Sequence, residues 1–167
     1  MMMIQKILNN NVVTVIDKDE RELVLMGCGI AFRKRIGDTV DKRRIEKIFY
    51  PDSGLRSEKL IHLFSNIPEE HISLSSEIIE YAKIHLDYQL SDNLYLTLTD
   101  HISMALERLR SGFQLKNALL GEIERLYEAE YKVGKVAVDM MNAQLALGFN
   151  YEEAGFIALH LVNARID

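Results

Sequence analysis

The chain has 167 residues, a formal net charge of −5, 48% hydrophobic and 27% charged residues, an ordinary globular composition rather than a disordered one. No apolar run approaches the roughly 20 residues that span a bilayer, residues 1–6 show neither an apolar h-region nor a small-residue cleavage site, and the single cysteine, Cys28, can make neither an internal disulfide nor a Cys-rich zinc site. Membrane-inserted, secreted and disulfide-scaffold classes are therefore not expected, and a cytoplasmic protein is.

Charge is uneven along the chain. Residues 1–52 hold 10 Lys/Arg and 8 Asp/Glu, while the remainder holds 10 and 17. A mildly basic head on an acidic body is what two units with different partners would show, although chance produces splits of this size.

The head reads as strands. Residues 3–8 open it. Val12, Val13, Thr14, Val15 and Ile16 follow, all β-branched, which suits a pleated sheet and disfavours a helix. They lie between Asn9-Asn10-Asn11 and Asp17-Lys18-Asp19-Glu20, both turn-forming. Glu22-Leu23-Val24-Leu25-Met26 stops at Gly27-Cys28-Gly29, a turn is expected at Gly37-Asp38, and residues 44–49 alternate polar and apolar. This predicts a small antiparallel meander of about four strands. A domain near 60 residues is marginal alone, and an open meander leaves two free edges. Face-to-face pairing with a second copy is therefore expected.

Pro51-Asp52-Ser53-Gly54 is the main cluster of breakers, and the domain boundary is placed there. Beyond it the spacing is helical. Ser75-Ser76 precede a helix over 77–86. Ser91-Asp92 cap one over 94–110, ended by Gly112. Further helices cover 119–130 and 132–147, and Asn150 with Glu153 forms a capping box for the last. The second unit is thus predicted to be an all-α bundle of about five helices around one core, making the chain an α+β two-domain protein.

Two constellations carry chemistry. In the head, Phe32 directly precedes Arg33-Lys34-Arg35, close to the amides of Asn9-Asn10-Asn11 and to Gly27-Cys28-Gly29, where a backbone can approach a ligand. An aromatic ring beside cations stacks an unpaired base while the charges hold the phosphates. The alternative is a core Phe32, an ordinary Asn turn and a solvated basic edge. In the body, His101 shares a helix face with Leu94, Leu98 and Ala105, and His160 lies over Phe156 and Ile157. Each is either a satisfied core or interface histidine or a phosphoacceptor, whose added charge of about −1.5 to −2 would force an apolar contact to repack. Asp100 adjoins His101 but does not share its face. His62, His71 and His85 are scattered and read as surface or structural.

No HExxH, P-loop, GxGxxG or GxSxG motif occurs. Asp100-His101 reverses the His-Asp order of metal phosphohydrolases, and no further ligand set accompanies it. Cys28 has no neighbouring histidine to lower its pKa.

Two motif sets in order resemble the BglG/SacY family of bacterial transcriptional antiterminators. Met3-Ile4-Gln5-Lys6-Ile7-Leu8-Asn9-Asn10-Asn11-Val12-Val13, Met26-Gly27-x-Gly29-Ile30-Ala31-Phe32 and Ile45-Glu46-Lys47 resemble the co-antiterminator RNA-binding domain. Leu98-Thr99-Asp100-His101-Ile102, Asn117-Ala118-Leu119-Leu120, Arg125-Leu126-Tyr127 and Glu153-Ala154-Gly155-Phe156-Ile157-Ala158-Leu159-His160 resemble the phosphotransferase-system regulation domain. The resemblance implies an RNA-binding domain at 1–56 and a regulation domain at 57–167. It implies a homodimer that binds an RNA hairpin in nascent mRNA and prevents a terminator from forming upstream of sugar-utilisation genes. It implies RNA contacts at Lys6, Asn11, Gly27 and Phe32. The family often has Arg where Cys28 stands, and Arg33 or Arg35 is the neighbouring cation that could replace it. Phosphorylation is implied at His101 and His160, with the sugar-specific transporter and the phosphocarrier protein HPr as donors. Modification of this domain by the transporter would switch the protein off. No cofactor, metal or enzymatic activity is implied. Family members normally carry a second regulation domain, so the chain is expected to be part of a longer protein. A phosphotransfer relay with a dimerising head, and a metal-dependent helical enzyme, are the rival classes.

Overall fold

Strands β1 (Ile4–Asn9), β2 (Val12–Ile16), β3 (Glu22–Met26) and β4 (Lys47–Phe49) form one antiparallel sheet in sequential order. In the register, Val13 faces Leu25, Val15 faces Leu23, and Phe49 faces Val24. The computed structural model describes residues 1–50 and 57–166. They divide into two units, Met1–Glu69 and Glu70–Asp167. The boundary expected at Pro51–Gly54 lies outside the described residues.

Alternation along the strands gives the sheet two apolar faces. Ile4, Val13, Val15, Leu23 and Leu25 form one core with Ile30, Ala31 and Val40 from the segment after β3. Val12, Val24 and Phe49 point to the other face and are equally buried. Helix α1 (Ser57–Asn66) packs there against β1 and β3, burying Leu60, Leu63 and Phe64. The Phe64 ring lies 6.1 Å from that of Phe49, and Asn9 Nδ2 donates to the Phe64 carbonyl at 3.4 Å. Within one chain α1 thus covers this second face of the sheet. No helix is named before residue 77 in the sequence reading, so this layer is missed.

The strand expected over 44–49 is shorter. Lys42–Arg44 form a 3-10 turn, with the Asp41 carboxylate accepting from the Arg43 N–H at 3.1 Å, and pairing begins only at Lys47.

The second unit holds α2 (Glu69–His85), α3 (Asn93–Arg110), α4 (Leu120–Leu126), α5 (Glu128–Leu145) and α6 (Glu152–Asn163). A short ladder, β5 (Gln89–Leu90) with β6 (Arg165–Ile166), joins its first loop to the end of the chain. Helix α2 starts well before residue 77. Ser75 lies inside it, its hydroxyl donating to the His71 carbonyl at 2.9 Å, so it bonds back along the helix instead of capping one. Ser91 Oγ accepts from the Asn93 N–H at 3.2 Å at the start of α3, and Gly112, with φ +96°, follows its end. Tyr127 (φ −127°, ψ 54°) separates α4 from α5 within the stretch read as helix over 119–130. At α6 the Asn150 side chain accepts from the Glu152 N–H, but Glu153 does not complete a capping box. Its carboxylate turns inward to His101. Gly134 lets α5 and α6 meet closely: a Cβ there would stand 2.4 Å from the Ala154 carbonyl oxygen.

Candidate nucleic-acid interface and histidine pair

The turn between β1 and β2 and the segment leaving β3 are tied together by main-chain bonds. Asn11 does most of this. Its N–H donates to Asn9 Oδ1 at 2.7 Å, its carbonyl accepts from Gly27 N–H at 2.9 Å, and its Oδ1 accepts from Gly29 N–H at 2.9 Å. The Asn10 carbonyl accepts from Ala31 N–H at 3.0 Å. Successive turns then carry the chain outward, with Phe32 N–H bonded to the Gly29 carbonyl. Ile30 and Ala31 go into the core while the next ring does not: Phe32 is 57% exposed. The Arg33 guanidinium sits 5.3 Å from that ring's centroid. Asn11, Gly27, Cys28, Phe32 and Arg33 thus share one turn cluster. Lys6 stands apart on β1, half-exposed, with its ammonium 3.5 Å from Glu22 Oε1.

Gly27 lies against the main chain of Arg44. A Cβ there would lie 1.7 Å from the Arg44 carbonyl oxygen, so the close approach it permits is to the protein's own main chain. Gly29 adopts φ +68°, and its carbonyl accepts from Arg44 Nη1 at 3.0 Å. Glu46 Oε1 accepts from the Cys28 N–H at 3.2 Å. Arg44 and Glu46 are therefore structural clamps on the cluster. The Ile45-Glu46-Lys47 motif contained one of them without revealing its purpose. The Cys28 thiol is exposed.

In the helical unit, α3 and α6 bring His101 and His160 together. Their ring centroids are 4.7 Å apart, and Phe156 lies 6.0 Å from His101. His101 rests on the face formed by the buried Leu94, Leu98 and Ala105. His101 Nε2 hydrogen-bonds Oε1 of the buried Glu153. Burial, and secondarily the neighbouring His101, push the His160 pKa down to about 4. His160 is thus a neutral imidazole at pH 7, and it opens onto a cavity of about 260 Å³ lined by Ser91, Asn93, Leu94 and Thr97. Asp100 is exposed, and its charge acts on His160 only as a minor opposing influence. Glu153 is the residue that sequence reasoning missed: its spacing from Asn150 read as a cap.

The remaining histidines have other roles. His71 is buried, its Nδ1 bonded to Ser103 Oγ at 3.1 Å. His62 and His85 are exposed and bond Asn66 and the Tyr81 carbonyl. Among the described residues no three metal-ligating side chains converge, and no helix is long and apolar enough to cross a membrane.

Comparison with known proteins matches residues 2–58 to the CAT RNA binding domain and residues 76–164 to the PRD domain. The chain is 47% identical to transcription antiterminator LicT of Bacillus subtilis (strain 168) over 99% of its own length and 60% of that protein's. It is 46% identical to the beta-glucoside operon antiterminator of Dickeya chrysanthemi, again over 99% of this chain and 59% of that one. The chain therefore spans about three fifths of these relatives. The crystal structure of GlcT CAT-PRDI superposes with a TM-score of 0.88 at 32% identity, covering 99% of each chain. Two family matches in order, relatives at 46–47% identity and a shared fold agree, and the chain belongs to the BglG/SacY family of transcriptional antiterminators, with a CAT RNA binding domain and a PRD domain.

Proposed function

We propose that this chain is the RNA-binding and first regulatory part of a cytoplasmic antiterminator. It binds, as a homodimer, an RNA hairpin in nascent mRNA and so disfavours the overlapping terminator, a population shift produced by differential affinity. The RNA-binding domain is residues 1–56, with α1 from the following segment covering its sheet, and the regulation domain lies within 57–167. The function is regulatory, with no catalysis of its own.

The observation that supports this best is the exposure of Phe32. An aromatic ring left 57% in solvent while its neighbours Ile30 and Ala31 are buried costs apolar burial. Stacking on an unpaired base, with Arg33 close to its face, gives that ring a partner. Asn11 and Gly27 hold the turn that presents it, Cys28 lies at its rim, and Lys6 supplies charge from the strand. His101 and His160 are the phosphoacceptors, served by a sugar-specific transporter and by HPr. Phosphorylation by the transporter lowers antitermination.

The test is a gel-shift titration with hairpins transcribed from upstream of the sugar genes neighbouring this chain's own gene. Phe32→Ala should weaken binding by roughly tenfold or more while the circular dichroism and melting temperature stay unchanged. Equal affinity of the variant and the parent would sink the assignment. Sedimentation of the chain as a monomer at the concentrations that bind RNA would remove the dimer.

A further inference from the structure

Glu153 is buried at the first turn of α6, and its Oε1 accepts a hydrogen bond from His101 Nε2. A carboxylate oxygen accepts and an imidazole N–H donates, so the bond is made by the tautomer with its proton on Nε2. In the neutral imidazole the lone pair is then on Nδ1, which has no hydrogen-bond partner among the described residues. The His101 side chain is 16% exposed against 6% for Glu153, so solvent reaches the ring more readily than the carboxylate behind it.

We propose that Glu153 is the positioning residue of His101, holding Nε2–H so that a phosphoryl group is accepted on Nδ1. The proposal rests on the reading of His101 as a phosphoacceptor and adds the atom and the residue that selects it. A phosphoryl group on Nε2 would face a buried carboxylate, two anions with little water between them. A group on Nδ1 avoids that contact. It also leaves a positive ring beside Glu153, which stabilises it as the triad carboxylate stabilises the imidazolium of a serine hydrolase.

The transfer balances. The donor is a phosphohistidine protonated on its second ring nitrogen. The Nδ1 lone pair of His101 attacks phosphorus and the Nδ1–P bond forms. The donor's P–N bond breaks, its electron pair returns to the donor nitrogen, and the donor leaves as a neutral imidazole. The Nε2 proton of His101 stays in its bond to Glu153, and no proton enters or leaves. His160, 4.7 Å away and uncharged at pH 7, neither repels the charged ring nor competes for Glu153.

The experiment uses the whole chain, labelled with 15N-histidine, and HPr loaded from phosphoenolpyruvate as donor. Phosphorus–nitrogen couplings identify the modified atom. The parent should carry the group on Nδ1 of His101. Glu153→Gln, which retains an acceptor oxygen without the charge, should keep that isomer and slow transfer by about tenfold. Glu153→Ala should place part of the label on Nε2. A merely structural carboxylate would alter rate or stability but leave the isomer alone. A parent protein labelled on Nε2 would overturn the proposal while leaving the phosphoacceptor reading intact. So would Glu153→Ala with unchanged isomer and rate; should that variant not fold, the parent and Glu153→Gln decide. Absence of label on either histidine with a competent donor would remove the phosphoacceptor reading, and this proposal with it.

Discussion

His101 on α3 and His160 on α6 place their rings 4.7 Å apart, and one buried carboxylate, Glu153, bonds the first of them. Two groups that sequence reading treats separately are one electrostatic unit. Charge placed on either ring is felt by the other and by Glu153.

That unit makes stability depend on pH. The folded-state pKa of His160 is near 4, below its ordinary value of 6.5. The unfolded chain therefore binds a proton that the folded chain refuses between those values. No penalty exists above about pH 6.5. It grows as pH falls toward 4 and is constant below that. His71, whose pKa burial also lowers, adds in the same direction. With partial solvent screening, His160→Gln should recover on the order of 1 kcal/mol of the stability lost between pH 7 and pH 5. Urea denaturation of both proteins at the two pH values measures it; parallel losses would refute it.

Charge at position 101 should act on the same contact. His101→Asp would set a second carboxylate against Glu153, whereas His101→Ala removes a ring and adds no charge. The aspartate variant should lower reporter antitermination and the alanine variant should not. Its thermal stability should also fall further than that of the alanine variant, because like charges meet with little solvent. Identical reporter output from the two variants would exclude a charge-based switch.

Gly27 and Gly37 separate two kinds of glycine. A Cβ at Gly27 would stand 1.7 Å from a backbone oxygen of Arg44, which cannot rotate away, so Gly27→Ala must displace the 3-10 turn. The expected cost is about 3 kcal/mol or more. At Gly37 nothing lies within 4 Å, but φ is +93°, so Gly37→Ala meets backbone strain alone and should cost about 1 kcal/mol. Chemical denaturation of the two variants would test the order; a Gly27→Ala protein as stable as the parent would contradict the close approach.

Thr14 is fully buried in β2, and its hydroxyl has no hydrogen-bond partner among the described residues. Burial of an unmatched hydroxyl costs stability, and valine has nearly the same shape. Thr14→Val should therefore stabilise the first unit by about 1 kcal/mol. A fall in its denaturation midpoint would mean that the hydroxyl has a partner.

Much of the architecture was legible in residue order because its causes are local. The β-branched run at Val12–Ile16 and the aliphatic run at Glu22–Met26 have the strand bounds expected of them. Ser91 and Gly112 bracket α3 because capping and φ > 0 are properties of single residues. What depended on partners distant in sequence was not legible. The Arg44 carbonyl seated on Gly27, α1 covering the second face of the sheet, the inward turn of Glu153 and the pairing of His101 with His160 all arise from packing between elements. Local chemistry sets which segments become strands and helices and which motifs they carry. Only the folded chain decides which side chains share a buried carboxylate, because that is fixed by how helix faces and sheet layers fill space, and no spacing along one element encodes it.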